Sequence, residues 1–96
     1  MKEELKRRVD NYLKKAKPLF ENLEISECDL VFDDQKLKEI KKHFHEMALS
    51  YYNDSKYFRD KGDYINALSA LEYAEGWLDA GISLGILKIR NKNHER

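Results

Sequence analysis

Ninety-six residues make one domain's worth of chain, with room for a single hydrophobic core. Lysine plus arginine equals aspartate plus glutamate at 18 each, so overall charge draws the chain to neither nucleic acid nor an anionic membrane. A hydrophobic share of 42% argues against disorder, no apolar run is long enough to span a bilayer, and the lone Cys28 permits no internal disulfide.

The spacing predicts a first helix over 2–24. Leu5, Val9, Tyr12, Leu13, Ala16, Leu19, Phe20 and Leu23 recur at steps of three and four, one face of a 3.6-residue helix. Glu3 and Glu4 stand in its first turn, where the helix dipole favours negative charge. Pro18 lies inside the pattern without shifting its phase, which predicts a kink in one helix. The opening MKEELKRRVD has no signal-peptide apolar core, so the expected location is the cytoplasm.

Residues 25–34 break the period and read as a loop, with Ile25, Leu30, Val31 and Phe32 folding back onto the bundle end. Asp33 is the expected N-cap of the next helix, with Phe32 and Leu37 as its hydrophobic staple. Cys28 falls in this loop as a tolerated small residue, with no partner base to make it a nucleophile.

The second helix is expected over 34–61, its stripe formed by Leu37, Ile40, Phe44, Met47, Ala48, Tyr51, Ser55 and Phe58. Gly62 should end it and Asp63 should cap the third helix, a turn so short that the two helices must lie antiparallel. The third helix, over 64–84, is the most apolar. Leu68, Leu71, Leu78 and Ile82 give it bulk, Ala67, Ala70, Ala74 and Gly81 give it a strip of small side chains, and Gly85 ends it. Residues 88–96 read as a basic, frayed tail. The expectation is an all-α fold, an up-down-up antiparallel three-helix bundle forming one domain over 1–87.

Charge is segregated although it sums to zero. Residues 1–17 carry seven basic and three acidic side chains, and residues 21–34 carry six acidic and none basic. Residues 64–87 carry three acidic and none basic, and residues 88–96 four basic and one acidic. The acidic loop and the basic tail meet at one pole of such a bundle, which favours mutual neutralisation. The sharper alternative is phosphate contact through Lys14, Lys15 and Lys17 or through the tail.

Chemistry-bearing patterns are sparse. His43 and His45 are two apart on a helix and diverge, and the pairs Glu39–His43 and His43–Glu46 read as exposed helix pairs. Glu72, Glu75 and Asp79 share one side of the third helix, and Asp54 lies on the second, but the Glu-x-x-His pattern of di-iron bundles is absent. There is no glycine-rich phosphate loop, nucleophile elbow or CxxC pair. The sequence therefore names no catalytic residue, metal-ligand set or cofactor, and it leaves enzymatic activity undecided. The aromatics concentrate instead on the second and third helices, where Tyr52, Tyr73 and Trp77 fall at the margin of the expected core.

The stretch YYNDSKYFRDKGDYINALSALEYAEGWLDAGISLGIL, residues 51–87, resembles the signature of a family of short archaeal helical proteins known as domain of unknown function 357. The resemblance is carried by Tyr52 and Asp54, Phe58, Gly62–Asp63–Tyr64, Ala67–Leu68, Tyr73–Ala74, the run GWLDAG over 76–81, and Leu84–Gly85. It implies a helical bundle from an archaeal cytoplasm, and it supplies no activity or ligand. The leading expectation is a non-catalytic protein-interaction or adaptor module, a homodimer being its simplest form. Its surface would use Tyr52, Asp54, Tyr73, Trp77 and Asp79. The alternative is a small-ligand or metal-binding protein using Asp54, Glu75 and Asp79, with Tyr73 beside them. Nucleic-acid binding through the first helix and the tail ranks third, and no membrane partner is expected.

Overall fold

The apolar period of the first twenty residues winds them into α1 (Lys2–Glu21), which buries Val9, Leu13, Ala16 and Phe20. The computed structural model describes residues 2–27 and 35–90. After α1 come β1 (Leu23–Ile25), α2 (Gln35–Asp60), α3 (Tyr64–Ser83) and β2 (Leu87–Ile89). The expected Asp33 cap, the Phe32 half of the staple, Cys28, Leu30, Val31 and the tail beyond residue 90 lie outside the described residues.

Two helix ends are built alike. At the end of α2, Gly62 takes φ 82°, the Asp63 amide donates to the Phe58 carbonyl at 2.9 Å, and the Gly62 amide donates to the Arg59 carbonyl at 3.0 Å. At the end of α3, Gly85 takes φ 76°, Ile86 donates to the Gly81 carbonyl at 2.8 Å, and Gly85 donates to the Ile82 carbonyl at 3.0 Å. Both are Schellman motifs, in which a left-handed residue lets two amides satisfy carbonyls that the helix has stranded. Asp63 then serves a second purpose. Its carboxylate accepts from the Asn66 amide at 3.2 Å and so caps α3, which closes the α2–α3 hairpin in three residues.

α1 lies across this hairpin. Asp10 meets Arg59 near the turn, while Phe20 stacks on Tyr52 with centroids 4.7 Å apart, so α1 runs antiparallel to α2. Tyr12 donates its hydroxyl hydrogen to Glu75 on α3. The result is the all-α three-helix bundle that the three stripes imply. The most extensive contact between helices is that of α2 with α3. Small residues line both helices: Ala48 on α2 and Ala67, Ala70 and Ala74 on α3 are all buried, and the fully buried Ser55 donates to the Ala67 carbonyl at 2.7 Å.

The structure corrects the sequence reading in three places. First, α1 stops at Glu21 rather than 24, and Leu23–Ile25 pair antiparallel with Leu87–Ile89 in the register Leu23↔Ile89, Glu24↔Lys88, Ile25↔Leu87. Leu23 continues the helical stripe in phase and is buried either way, so the period could not reveal the change of structure. Second, residues 88–90 do not fray. Lys88 and Ile89 belong to β2, the Arg90 amide donates to the Asn22 carbonyl at 2.8 Å, and its guanidinium sits 3.1 Å from Glu24. That pair is a described part of the charge neutralisation expected at this pole. Third, the buried line of α2 is Lys41, Ala48, Tyr52 and Ser55, rotated away from the stripe read in the sequence. α2 is flanked by α1 and β1 as well as α3, so its buried face turns toward both neighbours. Lys41 tolerates this burial because its ammonium donates to the Ser26 carbonyl at 3.2 Å.

Candidate interaction surface

The rotation of α2 leaves an aromatic margin beside the outer face of α3. Trp77 is half-buried and meets Phe44 edge-on at 5.0 Å between centroids, and His43 edge-on at 5.4 Å. One turn before Trp77, Tyr73 stacks on Tyr51 at 5.2 Å yet keeps 63% of its surface exposed. Phe44, Tyr73 and Trp77 wall one side of a groove of about 660 Å³. Its floor is Ser69, Gly76 and Ala80, and Glu72 stands on the opposite rim. Ile65, 69% exposed, continues the same face toward the hairpin turn.

Gly76 is the unusual residue here. A methyl group built on it meets nothing within 4 Å, whereas one built on Gly81 would lie 2.3 Å from Leu87 Cδ1 and 2.6 Å from Leu87 Cγ. The close approach of β2 explains Gly81. No packing within the described residues explains Gly76, and glycine in a helix interior costs about 0.8–1 kcal/mol against alanine.

The five residues singled out in the sequence do not form one site. Tyr52 is 3% exposed and belongs to the core, so it leaves the surface set; Phe20 lies flat on its ring and Lys56 stands 4.6 Å over it. Burial, and then the charge of Glu21, pushes the Tyr52 phenol above its ordinary pKa. Tyr73 and Trp77 share the groove, and Asp79 is exposed on α3 beyond its acidic rim. Asp54 is exposed on α2 and far from Asp79. The Ser55–Ala67 bond sets Asp54 level with Leu68, eleven residues or about 16 Å along α3 from Asp79. Glu75 faces α1, where it accepts from Tyr12. Among the described residues, no three His, Cys, Asp or Glu side chains form a metal-holding group.

The basic end of α1 forms a smaller cleft of about 270 Å³ with α2, lined by Lys14, Lys17, Lys56 and Arg59 but also by Asp10 and Glu21. Asp10 binds Lys6 at 3.0 Å and Arg59 at 3.5 Å, so part of this positive charge is already matched.

The family model for proteins of unknown function designated DUF357 matches residues 11–87, which takes in the second half of α1 as well as the hairpin. The chain belongs to the DUF357 family. It is also similar to the crystal structure of protein AF1782 from Archaeoglobus fulgidus, itself assigned to DUF357, at 25% identity and a TM-score of 0.69. That likeness covers 93% of this chain and 97% of the Archaeoglobus chain. A search of curated proteins finds no match. DUF357 membership agrees with the fold, and the function of the family is unknown.

Within this DUF357 chain, sequence reasoning missed Gly76, Ala80, Phe44 and Tyr51 as parts of the surface. The available signal was Gly76 itself, a mid-helix glycine directly before the only tryptophan. Phe44 and Tyr51 were read as core because they lie in phase with the stripe of α2, and only the rotation of that helix brings them to the margin.

Proposed function

We propose that this protein is a non-catalytic interaction module that receives a partner on the α2–α3 face centred on Gly76 and Trp77. Gly76 carries the reading. A helix-interior glycine lowers the stability of the free chain, and its use becomes intelligible when another backbone lies close against that turn. The flanking Tyr73 and Trp77 support it, since amphipathic rings beside a close contact are the usual anchors of an interface. So does the composition of α3, which is apolar on much of its circumference although its outer side lies open.

The neighbour from Archaeoglobus supports an archaeal setting, and the cytoplasm is the location this reading assumes. No helix among the described residues is long and apolar enough to cross a membrane.

The test compares the full chain with Gly76→Leu, a change that fills the groove without touching the core. The reading expects a partner captured by the immobilised wild type and lost by the variant, or self-association in sedimentation abolished by the same change. Identical capture by both proteins, each sedimenting as a monomer, refutes it.

A further inference from the structure

The rims of the groove differ in character. One is aromatic; the other is acidic. Glu72 lines the groove, and Asp79 follows seven residues later, two turns along the same side of α3 and about 10 Å away. Both are exposed, and among the described residues neither forms an ion pair. The third carboxylate, Glu75, is engaged by Tyr12. No basic residue occurs anywhere from 64 to 87, so α3 offers these acids no neutralising neighbour. The effect is felt across the α1 contact. The Tyr12 phenol is held well above its ordinary range, first by burial, then by the hydrogen bond and charge of Glu75, and further by Glu72 and Asp79.

A second copy laid antiparallel on the same face by a two-fold axis would bring Glu72 and Asp79 of one chain toward those of the other, and a parallel two-fold would set them against the aromatic rim, with no cation from α3 in either case. The groove is therefore poorly matched to itself and well matched to positive charge. Its floor of Ser69, Gly76 and Ala80 admits a backbone at close range, which a helix with a small apolar seam can use.

Building on the interaction reading above, we infer that the groove binds an amphipathic helix of a different protein. That helix presents a small apolar seam to Gly76 and Ala80, an apolar edge to Trp77, and Lys or Arg residues two turns apart to Glu72 and Asp79.

The experiment uses a displayed library of amphipathic helical peptides. It is selected on the full-length chain and counter-selected on Gly76→Leu. Trp77, the only tryptophan, reports binding of each selected peptide directly through its emission. Selected peptides should carry Lys or Arg at positions seven apart. Their affinity should fall roughly fivefold in the double variant Glu72→Gln, Asp79→Asn, as expected for two rim ion pairs, and should weaken with added salt. Selected peptides that are neutral or acidic on those positions overturn the basic partner and leave the interaction reading standing. Self-association lost in Gly76→Leu makes a second copy the occupant and also overturns it. If no peptide distinguishes the wild type from Gly76→Leu and the chain is a monomer, both readings fall.

Discussion

Two glycines five residues apart on α3 should respond to the same substitution with opposite signs. At Gly76 a methyl group meets nothing within 4 Å, so Gly76→Ala gains the full helix-propensity difference, about 0.8–1 kcal/mol. For a chain of this size that corresponds to a rise in Tm of about 4–8 °C. At Gly81 the added carbon would lie 2.3 Å from Leu87 Cδ1, 2.6 Å from Cγ and 3.2 Å from Cβ. Leu87 is only 2% exposed and held in β2, so it has little freedom to withdraw. Overpacking of this kind costs about 1–3 kcal/mol, which offsets the propensity gain and leaves a net loss of up to about 2 kcal/mol. Thermal unfolding followed by circular dichroism reads both changes. A Gly76→Ala variant that melts below the wild type would refute the open groove, and a dependence of that loss on protein concentration would show a second copy already packed there. A Gly81→Ala variant more stable than the wild type would refute the close approach of β2 to α3.

Three further outcomes follow from the packing. Phe20→Ala should lose about 3–5 kcal/mol in urea unfolding, because the ring is buried and stacked on Tyr52, whereas exposed Tyr73→Ala should stay within about 0.5 kcal/mol. Ser55→Ala should cost about 0.5–1.5 kcal/mol by the same measurement, since it removes a buried hydrogen bond to the Ala67 carbonyl. The Tyr12 phenol has a folded pKa raised above its unfolded value near 10, so its contribution is whole below pH 10 and is lost as pH rises toward the folded value. Alkaline unfolding of the wild type should therefore steepen above pH 10 relative to Tyr12→Phe, and identical profiles would show that Tyr12 does not couple to the α3 carboxylates.

Much of the fold was legible because helices and their ends are written in local sequence. The period of Val9, Leu13, Ala16 and Phe20 specifies the buried face of α1, and Gly62–Asp63 specifies a turn through one left-handed residue and one cap. Of the small strip read on the third helix, Ala67, Ala70 and Ala74 are buried, while Gly81 lies against Leu87 of β2. The candidate site was legible only in part. Tyr73 and Trp77 stood out by type, but Tyr52 looked equivalent to them. Only the docking of Phe20 against it decides that Tyr52 is core.

What the chain determined by itself is therefore three helices, the Asp63 cap, the glycine ends at Gly62 and Gly85 and the antiparallel hairpin, since each depends on residues within a few positions of one another. The tertiary structure alone decided the β1–β2 pairing, which joins residues 23–25 to 87–89, and the rotation of α2 between its neighbours. It also separated two glycines that are indistinguishable as letters, one pressed against Leu87 and one facing open space. Local period cannot carry such information, because the surroundings of a side chain are set by segments distant in sequence that arrive only when the chain has folded.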